Sequence, residues 1–419
     1  MVVAKGRFAR WFCLACFVAT TTVLPPAACG ADAPAIRAAI DRATAYLVER
    51  GQAEDGSFSA KAGPAITALA VTALVKTGTP ADAPAVQKAI DYLLRFRQAD
   101  GGIHPPDSPV ANYETSIAMV ALAACNKDGR YSEQIKAAEA FVKGLQWDGG
   151  EGKEESDPAY GGAGYGRKNR PDLSNTSFLI EALRSVGTGA DDVAIQRALV
   201  FVSRAQNLEG PHNPLPFAAK NPDGGFYYTP AAGGESFAGT TPEGGLRSYG
   251  SMTYAGLKSM IFAGLTRDDP RVKAAVSWLA KHYTFTENPG MGDAGLYYYL
   301  QTAAKALDTL GDETFTDAAG LKHVWRNELA GTLVDRQQPD GSWVNQNPRW
   351  MEGDPNLVTS YALLALASCL PKPGDGVRAG PGATTGGSRR GGGARPRPAG
   401  NRRRSAGNRR RRARADRNR

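Results

Sequence analysis

The stretch AEDGSFSAKAGPAITALAVTAL, residues 53–74, sets a tight polar bend against a helix that has no polar face. Asp55-Gly56 is a turn signal, because the Asp carboxylate accepts nearby backbone N–H groups and Gly adopts the positive φ that such a bend needs. From Ile66 to Leu74 the apolar residues run round every side at helical spacing. A helix of that kind is stable only when it is covered on both sides.

The unit recurs along the chain. The bend returns as QADGGI from Gln98, QWDGG from Gln146, NPDGGF from Asn221 and QPDGSW from Gln338, with a weaker GDAGL from Gly292. An all-round apolar helix follows each: ETSIAMVAL from Glu114, NTSFLIEAL from Asn175, MTYAGLKSM from Met252, YLQTAAKAL from Tyr299 and VTSYALLAL from Val358. Aligned on their ends, five of the six carry Thr at one position, Thr67, Thr115, Thr176, Thr253 and Thr359, with Leu300 as the exception. Thr is a weak former of helix interiors, which places these residues near the helix starts. Upstream of each bend lies an amphipathic helix; in the second unit Val86, Ile90, Leu93 and Leu94 share one face while Lys88, Asp91 and Arg95 fall elsewhere. Six pairs of half-exposed and fully buried helices predict an all-α fold, an α6-α6 toroid over residues 32–371. The alternative, an open solenoid, needs polar terminal repeats, and no atypical end repeat is present.

The ends read differently. Lys5, Arg7 and Arg10 precede an apolar run from Trp11 to Leu24 and then the small residues from Ala27 to Ala31. That order predicts a secretory signal over residues 1–31, with a lipid-modified Cys29 as the alternative; the apolar run is shorter than the roughly 20 residues of a spanning helix. The expected location is the periplasm, the cell envelope or the medium, as a soluble protein. From Lys372 to Arg419 there are sixteen Lys and Arg against two Asp, with many Gly and Pro, which predicts a disordered basic tail. The whole chain is only +9, so the remainder is net acidic. After signal removal Cys125 and Cys369 remain, and two lone thiols are no disulfide framework.

These units resemble the terpenoid cyclase and protein prenyltransferase superfamily, whose repeats place an aromatic-aliphatic pair before a Gln and then Gly-x-Trp or Gly-x-Phe. Tyr46-Leu47 precedes Gln52 and Gly56-Ser57-Phe58, Tyr92-Leu93 precedes Gln98, Phe201-Val202 precedes Gln206, and Gln338 precedes Gly341-Ser342-Trp343. The resemblance covers roughly residues 34–371 and implies a squalene-hopene-cyclase-like toroid with prenyltransferase and squalene oxidase repeats. It implies two chemistries that can be tested by residue. A class II cyclase presents Asp-x-Asp-Asp at an inner-helix start, where a neutral carboxyl protonates an alkene or epoxide. The matching segment is Asp172-Leu173-Ser174-Asn175, in which only the first Asp survives. A protein prenyltransferase uses zinc held by Asp, Cys and His. Here Cys125 and Cys369 fall near helix ends, and His104, His212, His282 and His323 show no ligand spacing. No metal and no cofactor is therefore expected, and the heterodimer partner of that family is at odds with export.

The connections over 148–172 and 206–249 are long and belong to neighbouring units, which predicts one continuous rim. It holds Tyr160, Tyr165, Arg167, Lys168, Arg170, Phe226, Tyr227, Tyr228, Arg247 and Tyr249. At the inner-helix starts the axis is expected to be lined by Glu114, Asn175, Met252, Tyr299 and Thr359, with Tyr254, Tyr297, Tyr298 and Tyr361 nearby, several of which suit a core as well. The candidate ligands are a lipid, a glycan or a peptide.

Three functions follow from these readings. One is a binding or scaffold protein that keeps the toroid without the chemistry. Another is an enzyme of altered mechanism acting on an isoprenoid or glycan, which requires at least two of Asp172, Glu114, Glu181 and Asp354 to converge. The third assigns anionic envelope polymers to the tail; export argues against nucleic acid as a physiological partner.

Overall fold

The computed structural model describes residues 30–167 and 169–370. The expected basic tail, the expected signal apart from Gly30 and Ala31, and Lys168 lie outside the described residues.

Thirteen α-helices build the described chain: α1 (Ala33–Tyr46), α2 (Ala65–Lys76), α3 (Pro84–Leu94), α4 (Ala111–Cys125), α5 (Ser132–Lys143), α6 (Leu173–Ser185), α7 (Val193–Arg204), the short α8 (Pro216–Lys220), α9 (Gly250–Phe262), α10 (Pro270–Lys281), α11 (Leu296–Leu310), α12 (Trp325–Arg336) and α13 (Pro355–Cys369). A two-residue hairpin, β1 (Phe315–Thr316) with β2 (Lys322–His323), lies between α11 and α12. The six all-apolar segments form α2, α4, α6, α9, α11 and α13. Each packs against the next, and α13 packs back on α2, so they close a ring. The amphipathic helices lie outside: α3 on α2, α5 on α4, α7 on α6, α10 on α9, α12 on α13, and α1 on α13 across the chain's start and end. Burial follows this division. Every residue from Ala65 to Leu74 of α2 is buried, whereas α3 buries only Val86, Ala89, Ile90, Tyr92 and Leu93.

Local chemistry sets the helix starts. Asp32, Asp192, Asp269 and Asp354 cap α1, α7, α10 and α13 by accepting backbone N–H groups of the first turn. Pro opens α1, α3, α10 and α13, where its missing N–H costs nothing.

The recurrent residues join one unit to the next. Thr67, Thr115, Thr176, Thr253 and Thr359 each accept, through Oγ1, the backbone N–H of Phe58, Ile103, Ala163, Phe226 and Trp343 at 2.9 to 3.1 Å. The shared Thr thus satisfies a buried donor at the end of each bend. Gly56, Gly101, Gly161, Gly224 and Gly341 all have positive φ, and a Cβ there would come within 1.9 to 2.9 Å of a carbonyl oxygen of α3, α5, α7, α10 and α1, respectively. Gly341 rests on Arg42 of α1, which makes the last bend the one that seals the ring. Gln52, Gln146, Gln206 and Gln337 bridge their own bend to the neighbouring outer helix in the same way; Gln337 Nε2 donates to the carbonyls of Gly341 and Ala39.

Two registers differ from the sequence expectation. In the third unit the structural bend is at Gly161, because residues 149–160 are inserted after Asp148, which caps a separate 3-10 turn instead. In the sixth unit Gln337, rather than Gln338, makes the bridge.

Candidate functional site

The starts of the inner helices surround one opening of the ring. Asp172 caps α6: its Oδ1 accepts from Asn175 N at 2.9 Å and its Oδ2 from Asn175 Nδ2 at 2.8 Å. The Tyr228 hydroxyl also donates to this carboxylate, and Tyr165 shares a hydrogen bond with Tyr228. Burial outweighs those bonds and pushes the Asp172 carboxyl up to about 6. Asn175 Oδ1 is buried and has no hydrogen-bond partner among the described residues. Beside it the Ser174 hydroxyl is 2.9 Å from that of Tyr298.

Within the ring the axis is occupied. Tyr113 of α4 meets Phe178 of α6 with centroids 5.3 Å apart; Phe178 meets Tyr298 of α11 at 6.2 Å, and Tyr298 meets Tyr361 of α13 at 6.1 Å. The hydroxyls of Tyr113 and Tyr361 are hydrogen-bonded. Helices α4 and α13, and α6 and α11, are not ring neighbours, so these rings reach one another across the axis.

Above the axis an aromatic path leads outward. Tyr228 packs on Phe237 at 4.4 Å and Phe237 on Trp350 at 5.5 Å, while the Arg349 guanidinium lies 4.2 Å from the Trp350 ring and 5.3 Å from that of Phe237. Trp350 and Met351 have φ of 54° and 66° and are exposed by 39% and 49%. A left-handed Trp beside a left-handed Met, both presenting apolar surface, is strained backbone of the kind concentrated at functional sites. Arg349, Trp350 and Met351 were not among the sequence candidates. Their signal is weak: the segment carries no repeat feature, and only its backbone sets it apart.

The four carboxylates named from the sequence do not meet, and no two share a hydrogen-bond partner. Glu114 accepts from Ser108 Oγ at 2.6 Å and has Gly63 against its other oxygen; burial pushes it up to about 7. Asp354 caps α13 and accepts from Ser59 Oγ at 3.0 Å. Glu181 lies about 13 Å further along α6 than Asp172, at 1.5 Å per residue, where Lys258 and Lys305 hold its carboxyl well below the usual range. A carboxylate missed in the sequence, Glu352, is 1% exposed and caps α11 by accepting from Tyr298 N at 2.7 Å and Tyr297 N at 3.2 Å. It replaces the cap that Gly295 cannot supply.

Of the residues expected on the axis, Tyr298 and Tyr361 are there and Asn175 orients Asp172. Thr359 instead holds the Trp343 N–H, and Met252, Tyr254, Tyr297 and Tyr299 are core. Tyr254 and Tyr299 contact each other, and Tyr299 donates outward to the Thr284 carbonyl. Tyr249 is 2% exposed beneath the mouth, and Tyr165 is at its surface. Arg247 lines a separate cleft of about 390 Å³ with Asn221, Asp223, Ser248, Trp278 and His282.

Residues 40–230 match the family model described as squalene-hopene cyclase C-terminal domain. No curated protein matches the chain. Among solved structures it is similar to the type II terpene cyclase MstE from Scytonema, at 16% identity and a TM-score of 0.50 over 80% of this chain and 98% of that one. It is also similar to a family 76 glycoside hydrolase from a bovine Bacteroides thetaiotaomicron strain, at 10% identity and a TM-score of 0.52 over 79% of this chain and 77% of that one. At such identities the likeness speaks for the toroid and leaves the activity open. The repeats, the closed double ring and the family model matched over residues 40–230 together give this chain a terpenoid cyclase-like toroid fold.

Proposed function

We propose that the protein is an exported toroid that binds a ligand at its mouth and does not cyclise it. The observation that carries this is the contact of Tyr113, Phe178, Tyr298 and Tyr361 across the axis, because a polyene must be enclosed in open, water-free space to be folded and cyclised. At the mouth, by contrast, Trp350 and Phe237 offer ring faces and the Arg349 guanidinium offers donors. A glycan supplies both a stacking face for the rings and hydroxyl acceptors for the guanidinium; a hydrocarbon supplies no acceptor. Export rests on the charged, apolar and small-residue order of residues 1–31.

Calorimetric titration of the full chain with neutral oligosaccharides tests the binding. Saturable heat is expected, and Trp350→Ala should abolish it. Product formed by the native chain from squalene or a geranylgeranyl substrate, and lost in Asp172→Asn, would overturn the proposal. N-terminal sequencing of the mature protein tests export; a chain still starting at Met1 contradicts it.

The second function, an enzyme of altered mechanism, is favoured by one observation. Asp172 is a buried carboxyl raised to about 6 at the mouth, suited to proton transfer near neutrality. Cleavage of a bound oligosaccharide, detected by mass spectrometry and lost in Asp172→Asn, would select it.

A further inference from the structure

Deeper in the ring the Glu181 carboxylate of α6 takes one N–H from Lys258 of α9 at 2.6 Å and one from Lys305 of α11 at 2.5 Å. Lys76, in the last turn of α2, is near enough for its charge to act on Glu181 and Lys305. Helices α2, α6 and α11 alternate round the ring, so these side chains enter from three directions and gather about the axis. Lys258 is 2% exposed and Glu181 9%, whereas Lys76 is exposed and opens the cluster to solvent at the far end from Asp172.

The charges are out of balance. Three ammoniums face one carboxylate, and the nearby Asp308 is engaged by Arg326 at 2.8 Å. Each ammonium carries three N–H groups; Lys258 and Lys305 each give one to Glu181 and have no other hydrogen-bond partner among the described residues. The carbonyl ends of the inner helices favour cations on this side, but through fractional charge spread over the rim rather than acceptors on the axis.

We propose that Lys76, Lys258 and Lys305 form a binding site for an oxyanion, the phosphate or carboxylate group of a small ligand, with Glu181 holding two of the lysines in place. Burial pulls the Lys258 ammonium down, and a bound anion relieves this. The site is independent of the mouth, being at the opposite end of the ring.

Calorimetry and thermal melts of the full chain with inorganic phosphate, and separately with acetate, against chloride at matched ionic strength test it. One of the two anions should bind saturably and raise the melting temperature, and which one does so identifies the anion class. Lys76→Gln and Lys305→Gln should each weaken that binding by about 10-fold, the usual scale of one charge-assisted hydrogen bond. Lys76→Arg should retain it. The basic tail is unchanged in every variant, so anion bound equally by the native chain and by Lys76→Gln belongs to the tail. That result overturns the proposal, as does the absence of saturable binding of either anion. The ligand-free melting temperature of Lys76→Gln should match the native value, since Lys76 forms no ion pair among the described residues, and this separates lost binding from lost folding.

Discussion

Replacing Gly341 by Ala tests whether the last bend closes the ring. At φ +93° an L-residue already carries a backbone penalty of about 1–2 kcal/mol. The new Cβ would also stand 2.4 Å from the Arg42 carbonyl oxygen and 2.8 Å from its carbon, both backbone atoms of α1 that cannot turn aside. Relief requires the bend to lift from α1, which stretches the Gln337 bridge to Ala39 and the Trp343 N–H bond to Thr359. Losing one such buried bond adds about 1–3 kcal/mol. Gly78→Ala is the matched control: its φ is +113°, but nothing lies within 4 Å of the added carbon, so only the backbone penalty applies. For a domain of this size about 1 kcal/mol corresponds to roughly 1–2 °C in melting temperature. Gly78→Ala should therefore melt about 1–4 °C below the native chain and Gly341→Ala about 2–10 °C below it and further than Gly78→Ala, by differential scanning calorimetry. Equal shifts would show that the Gly341 bend does not bear on α1 and would refute closure through that contact.

Thr359→Val keeps the shape but leaves the Trp343 N–H without its acceptor, and should cost about 1–3 kcal/mol in chemical denaturation while Thr359→Ser costs much less. Glu114 is raised to about 7 by burial, so the folded state binds its proton more tightly than the unfolded chain. Stability is then greatest below about pH 4.5 for this group and falls as pH rises towards 7, and Glu114→Gln should flatten that fall and stabilise the protein at pH 8 by about 2–3 kcal/mol. Glu181→Gln leaves the lysines of the axis facing one another and should destabilise by about 3–5 kcal/mol, measured by denaturant titration at pH 7. Burial pushes the thiols of Cys125 and Cys369 up to about 11 and about 12, so neither should react with iodoacetamide at pH 8 until the chain unfolds, as followed by mass spectrometry.

The ring was legible because its signals are local and repeated. Ile66 to Leu74 and its five counterparts declare a helix covered on all sides, and the aligned Thr declares a shared start, although the sequence did not disclose that each Thr holds the N–H of the residue closing its bend. The register of the third unit was hidden by Asp148-Gly149, a true turn placed ahead of the Gly161 that seats on α7. The candidate site was less legible, since it depends on which helix faces which. Tyr298 and Tyr299 are adjacent and alike in sequence, yet one turns to the axis and Ser174 and the other outward to Thr284. The reach of Phe178 to Tyr298, 120 residues on, has no periodic trace. Glu352 was missed for the same reason: it caps a helix that begins more than fifty residues earlier.

A ring of helices whose starts share one opening sorts charge by itself. Their N–H ends favour carboxylates at that opening, and their carbonyl ends favour cations at the other. Asp172, Asp354 and Glu352 all bond first-turn N–H groups of their inner helices, and Lys76, Lys258 and Lys305 lie in the later turns. An acid at the mouth is therefore what the architecture demands, with or without chemistry, and its position alone carries no weight for catalysis. Weight belongs to features the helix dipoles do not require. At the mouth these are a Trp held exposed in left-handed backbone and the unpaired amide oxygen of Asn175. At the far end it is Glu181, an acid among lysines on the side where the field disfavours it. It is held there by its two ion pairs, and its value to the fold is to keep Lys258 and Lys305 directed at the axis rather than outward to water. A ring built for stability alone would do as well with apolar residues at the buried Glu181 and Lys258, so an ionic tier beneath the aromatic one argues that the lysines serve a ligand.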